Sequence, residues 1–150
     1  MIKTLLKPEN CLKKEKVSDW RDAIHQALVP LRNGGWCTEE YEQSVLDNTA
    51  KFGPYYVLCP DLALIHAGPE KGVNGTQMAV TVLNEPVRFS EEGPDVHVLV
   101  ALAAIDKEAH MEGIRATANI FMDPDKAQRV IQAPNSNALY ELFVANAAEC

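Results

Sequence analysis

Apolar and polar positions change period several times along the chain, and each change marks an element. Over residues 19–33, Trp20, Ile24, Ala27, Leu28 and Leu31 fall on one helical stripe. Ser18-Asp19 supplies its N-cap, Pro30 bears on its last turn, and Gly34-Gly35 ends it. A second helix is expected from Thr38 to about Lys51, with Glu39 and Glu40 in the first turn, where acids favour the helix dipole, and Tyr41, Val45 and Leu46 inward. Short apolar segments at 55–58 and 62–65 are broken by Pro60-Asp61 and stopped by Gly68-Pro69, which reads as two strands around a sharp turn. Residues 78–83, MAVTVL, form a strand, followed by a turn-like Asn84-Glu85-Pro86 and a loop over 89–93. Residues 96–105, VHVLVALAAI, are nearly all apolar, the mark of a central strand covered on both faces.

Helices follow over 106–122, with Ile114, Ala118, Phe121 and Met122 inward, over 126–132, and over 137–148, with Leu139, Leu142 and Phe143 inward. Asp123-Pro124-Asp125 and Pro134-Asn135-Ser136 separate them. Residues 1–17, with Pro8 and the run Lys13-Lys14-Glu15-Lys16, read as a lead-in. The order predicts an α/β fold, a single mixed β-sheet sandwiched between helices on both faces, with residues 1–150 forming one domain.

Composition narrows the function. At 150 residues, 47% apolar and 23% charged, the chain can bury a real core. A formal net charge of −7 argues against gripping a nucleic-acid backbone or an anionic membrane. No apolar run approaches the ~18 residues of a membrane span, and residues 1–16 lack the apolar run of a signal peptide, so a cytoplasmic location is expected. Cys11, Cys37, Cys59 and Cys150 show neither CxxC nor paired histidine spacing, so neither zinc nor a disulfide framework is expected. They read as buried or idle thiols. A Cys59/His66 nucleophile pair is the competing reading, and the apolar surroundings of Cys59 favour packing.

Among the four histidines, His25 lies inside the first helix and reads as a surface or packing residue, and His97 as a strand residue near the sheet edge. His66 stands where an apolar strand opens into a loop, a place from which a rigid scaffold presents reactive groups. His110 lies in the first turns of the helix after the core strand. The chain has no P-loop, dinucleotide fingerprint, HExxH or GxSxG, and Glu91-Glu92 reads as solvated charge. Sheet-end loops and helix N-termini share one crevice in α/β folds, which allows His66 and His110 to meet beside N–H groups suited to an anion. Two histidines fit a phosphoryl site better than a metal site, which wants a third ligand. An unrelated small-molecule-binding domain stays open, and would be favoured if the two histidines lay far apart.

The stretches GPYYVLCPDLALIHAGPEKGV and VHVLVALAAIDKEAHMEGI resemble the enzyme IIA component of the sugar phosphotransferase system, in the ascorbate-like branch of the mannitol/fructose superfamily. The resemblance covers about residues 18–145. Its specific parts are Gly53-Pro54-Tyr55, Ala63-Leu64, His66-Ala67, Pro69-Glu70, and Asp106 with His110. It implies that His66 receives a phosphoryl group from the phosphocarrier HPr and hands it to a cysteine of a IIB protein, and through it to membrane IIC, for ascorbate or a related sugar. It also implies that His110 stabilises the phosphoryl group, that Asp106 supports the site, and that no cofactor or metal takes part. A homodimer is left open. Two positions depart from the family pattern: Ile65 stands where proline usually precedes the histidine, and Gly68 where the branch has arginine. They motivate a second reading, a regulatory or decayed IIA-like interaction module without efficient transfer. An apolar docking patch including Ile65 and Leu62 is expected around His66.

Overall fold

The computed structural model describes residues 2–68 and 72–147. Along it run α1 (Ile2–Leu5), β1 (Leu6–Lys14), α2 (Trp20–Asn33), α3 (Glu39–Phe52), β2 (Val57–Cys59) and β3 (Asp61–Ile65). Then come β4 (Gln77–Arg88), β5 (Asp95–Ala103), α4 (Lys107–Phe121), α5 (Pro124–Ile131) and α6 (Ser136–Ala147). The strands form one mixed sheet in the order β1-β4-β5-β3-β2. β1 is parallel to β4 and β3 to β5, while β4/β5 and β2/β3 are antiparallel.

Side-chain alternation divides the core into two halves. Leu62 and Leu64 of β3, Val98, Val100 and Leu102 of β5, and Met78 and Val80 of β4 meet Ile120 of α4, Val130 of α5 and Phe143 of α6. Their alternates, Ala63, Ile65, Ala79, Leu99, Ala101 and Ala103, meet Ile24, Leu28 and Leu31 of α2 and Tyr41 and Val45 of α3. Burial of each large aliphatic chain contributes roughly 1.5–3 kcal/mol, so the ends of β3 and β5 are rigid mounts. β5 is the central strand, and both its faces are covered, as its continuous apolar run requires. The expected fold class, helices on both faces of a mixed sheet, is the one observed.

Several local expectations need correction. The lead-in over 1–17 contains edge strand β1; its signal was hidden because only Leu6, Asn10 and Cys11 are buried and the register shifts between Leu6 and Cys11. Lysines and Pro8 blunt that edge. Asn84-Glu85-Pro86 is not a turn but an exposed part of β4, carried through a register shift between Val82 and Val87 where proline is tolerated. β5 ends at Ala103, leaving Ile105 outside the sheet and 57% exposed. Met122 is not inward; it caps the C-terminus of α4 and is 84% exposed. His97 stands at the start of the central strand rather than near the sheet edge, with Nδ1 2.6 Å from Asp61 Oδ1. Thr38 occupies its N-cap place without a side-chain bond; its backbone N–H donates to Gly72 O instead.

Two glycines set how closely the layers approach. A Cβ on Gly72, whose φ is 79°, would strike the backbone of Tyr41, so only glycine lets this segment close over the start of α3. A Cβ on Gly113 would lie 2.8 Å from Leu102 Cδ2, and its absence lets α4 settle onto β5.

Candidate active site

His66 follows β3 directly, and the alternation that turns Leu62 and Leu64 toward α4 carries it to the same side. Its Nδ1 lies 2.6 Å from Leu64 O. A carbonyl can only accept, so Nδ1 carries the proton and Nε2 keeps its lone pair. A net worth of about 1 kcal/mol for that bond biases the tautomer roughly fivefold. The ring is half-buried. Burial, together with the neighbouring His110, pulls its pKa below the ordinary imidazole value of 6.5, against the opposing pull of the Leu64 carbonyl. The neutral, nucleophilic form is therefore favoured near neutral pH.

His110 approaches from α4, one turn in, with ring centroids 5.0 Å apart and planes inclined by 51°. Asp106 is the N-cap of that helix: its carboxylate accepts from Ala109 N at 2.8 Å and its carbonyl from His110 N at 3.1 Å. Asp106 thus holds the helix end that bears His110, and its carboxylate is spent on backbone rather than on an imidazole. The Nε2 of His110 is buried and has no hydrogen-bond partner among the described residues. A buried orphan donor or acceptor costs about 1–3 kcal/mol, a penalty that an incoming polar group would remove.

Tyr41, His66, Ala67, Leu102, Ala104, Asp106, Lys107 and His110 line a recess of about 20 Å³, room for one water-sized group. On its outer side a groove of about 420 Å³ opens between Phe52, Tyr55, Gly68 and the two histidines. A larger depression of about 510 Å³ between β1 and α2 is lined by Lys7, Glu9, Asn10 and Trp36 and gathers no comparable chemistry.

Of the expected site residues, the structure brings His66 and His110 together and sets Asp106 behind them. Pro69, Glu70 and Cys150 lie outside the described residues. The docking patch needs correction: Ile65 and Leu62 are 0% and 2% exposed, because both are strand residues facing the two core halves. Phe52, 72% exposed, lines the groove, and Ile105, just before α4, and Met111, within it, are also exposed. Burial pushes the Cys11 thiol up to about 12 and that of Cys37 to about 11, and burial plus Asp61 raises Cys59, so these three are not thiolate nucleophiles. His25 ties α2 to α3 through Glu42, 3.0 Å away, a bond Arg32 reinforces at 3.2 Å. Sequence reasoning set Tyr41 inward for packing but gave no role to its hydroxyl or to that of Tyr55. Tyr41 Oη donates to Leu102 O at 2.6 Å and accepts from Ala67 N at 2.9 Å, while Tyr55 Oη donates to His66 O.

The sheet order and helix placement are those of mannitol-type IIA domains. The solution structure of the mannitol-specific cryptic phosphotransferase enzyme IIA CmtB from Escherichia coli matches with a TM-score of 0.83 at 29% identity, covering 92% of this chain and 95% of that one. The IIA chain in the complex of enzyme IIAMTL and phosphorylated enzyme IIBMTL from Escherichia coli matches with a TM-score of 0.81 at 27% identity, covering 94% and 99%. In sequence, the ascorbate-specific PTS system EIIA component of Salmonella typhimurium is 33% identical over 130 residues, 85% of this chain and 84% of that protein. The family model of the phosphoenolpyruvate-dependent sugar phosphotransferase system, EIIA 2, matches residues 4–146. The chain belongs to that family and is a IIA component of a sugar phosphotransferase system. No helix among the described residues is long and apolar enough to cross a membrane.

Proposed function

We infer that the chain, acting as one domain over residues 1–150, is the cytoplasmic relay that takes a phosphoryl group from HPr onto His66 Nε2 and passes it to a IIB cysteine. The observation that carries this reading is His66 with Nδ1 engaged, 5.0 Å ring to ring from a second imidazole whose buried Nε2 lacks a partner among the described residues. The His66 lone pair attacks phosphorus in line, a new P–N bond forms, and the donor's P–N bond breaks with its electron pair returning to the donor imidazole. His66 then holds PO₃ on Nε2 while Nδ1–H stays on Leu64 O. In the second step the IIB thiolate attacks phosphorus and the lone pair returns to His66. His110 donates an N–H hydrogen bond to a phosphoryl oxygen, and charge stabilisation of this kind is where most of the protein's contribution lies.

Phe52, Ile105 and Met111 supply the apolar contact for the two protein partners. The likeness to an ascorbate-specific component supports ascorbate or a related sugar as the pathway's cargo, which would touch IIC and not this chain.

The test is incubation with phosphoenolpyruvate, enzyme I and HPr. The expected result is a mass gain of one phosphate, labile to acid and stable to base, absent in His66→Ala. A wild-type chain that gains nothing from loaded HPr would instead support an interaction module, the reading favoured by the exposed Gly68 in place of a guanidinium.

A further inference from the structure

The peptide unit that follows His66 has both of its polar atoms taken by tyrosine hydroxyls. Its carbonyl, His66 O, accepts from Tyr55 Oη, and its amide, Ala67 N, donates to Tyr41 Oη at 2.9 Å. The two tyrosines come from different places: Tyr41 from the first turn of α3, Tyr55 from the segment before β2. Each is tied down on its own account. Tyr41 is 1% exposed and spends its proton on Leu102 O at 2.6 Å, so it joins the end of β3 to the end of β5. Tyr55 sets its ring edge-on to His66, centroids 5.5 Å apart, and edge-on to Tyr56 at 4.9 Å. Burial raises both phenols above their ordinary value, so both keep their protons.

We propose that Tyr55 and Tyr41 are positioning residues for the nucleophile, a two-hydroxyl clamp that fixes the His66–Ala67 peptide plane and thereby aims the imidazole. Strand pairing in β3 fixes the backbone up to Ile65, opposite Ala101 of β5. Beyond it the chain leaves the ladder, and Gly68, two residues past His66, is exposed and supplies no stiffness of its own. The ψ angle of His66 is then set by the orientation of one peptide plane, and that plane is held at both ends. With φ and ψ fixed, the Cα–Cβ bond points toward α4, and the Leu64 carbonyl can select the Nδ1–H tautomer. Neither tyrosine needs to touch a phosphoryl group in this role. A misplacement of about 1 Å in a reacting atom can cost on the order of a hundredfold in rate, so the clamp matters kinetically even though it is remote from the bond being made.

The kinetic part rests on the phosphotransfer reading, whereas the geometric part does not, and the experiment separates them. Tyr55→Phe keeps the ring and removes only the hydroxyl of a half-buried residue. Tyr56→Phe is the matched comparison, because its hydroxyl meets Thr49 Oγ1 at 3.0 Å and touches nothing of His66. Nitrogen-15 spectra of the unphosphorylated imidazoles report the tautomer and titration midpoint of His66 directly. Wild type and Tyr56→Phe are expected to show the Nδ1–H form, and Tyr55→Phe a mixture of the two tautomers with its midpoint moved down, because the bond to Leu64 O that raises it is partly lost. Uptake from loaded HPr is expected to slow roughly ten- to a hundredfold in Tyr55→Phe at saturating donor, with little change in KM. Tyr41→Phe, with folding checked by melting, is expected to move the same signals. A Tyr55→Phe protein with the tautomer, midpoint and uptake rate of Tyr56→Phe overturns the clamp. If wild type takes no phosphoryl group at all, the transfer reading fails and the spectra alone decide the clamp.

Discussion

The two ends of the β3–β5 pair each present a histidine, and they are built differently. At one end His97 Nδ1 lies 2.6 Å from the carboxylate of Asp61 on the neighbouring strand. At the other, about 16 Å away by strand rise, His66 Nδ1 lies 2.6 Å from a backbone carbonyl and the ring faces a second imidazole. Both rings have one nitrogen engaged and both are half-buried, so neither burial nor tautomer distinguishes them. The partners do. A carboxylate beside a ring completes a structural tie between β3 and β5, at the start of β3 where Asp61 sits at φ 73°. A carbonyl and a neighbouring imidazole leave the ring neutral, with a lone pair beside a polar atom that has no partner among the described residues.

The contrast can be broken at its strongest point by deleting each ring. His66→Ala is expected to lose all acid-labile label, while His97→Ala keeps wild-type labelling; equal loss in the two would remove the distinction. Next in size is His110→Ala, which should still take label at His66 but on the order of a hundredfold more slowly, the usual cost of one oxyanion donor. Full-rate labelling would show that His110 is a bystander. Phe52→Asp, on the groove rim, is expected to raise the KM for loaded HPr roughly tenfold while leaving the tautomer of His66 unchanged; an unchanged KM moves the docking surface elsewhere.

Smaller effects sharpen the electrostatic side. Folding lowers the pKa of His66, so below 6.5 the unfolded chain takes up this proton more readily than the folded one. Stability is therefore unaffected by this group above that value and falls as pH drops from it toward the folded midpoint. His110→Ala should raise the midpoint, since a neighbouring imidazole and part of the burial are removed, and a nuclear magnetic resonance titration reads this directly. Last comes the turn: Asp61→Ala loses the bond to His97 and keeps an unfavourable φ, a cost of about 1–2 kcal/mol. Asp61→Gly loses the same bond but gains backbone freedom, so the urea midpoint should fall less than in Asp61→Ala.

Much of this was legible in the residues themselves. The continuous apolar run over β5 announced a strand covered on both sides, and the helix starts read at Asp19 and Asp106 are kept, both residues serving as N-caps. His66 and His110 stood out as a strand-end and a helix-start histidine, and the fold set them side by side. β1 escaped because an edge strand with a register shift buries too few positions to show a period. Ile65 and Leu62 were misplaced for a related reason: near a reactive residue, apolar character does not tell a docking surface from a strand's inward face. The tyrosine clamp left no pattern either, since both hydroxyls bond to backbone atoms, and backbone atoms have no letter in a sequence.

The bond between Nδ1 of His66 and the Leu64 carbonyl constrains the order of events. Under the proposed function it leaves a single imidazole edge for both loading and unloading. Donor and acceptor must therefore queue for the same doorway, and a IIB protein in excess should compete with HPr for the unloaded chain. The relay can hold one customer at a time, which makes its traffic sensitive to the ratio of its two partners rather than to either amount alone.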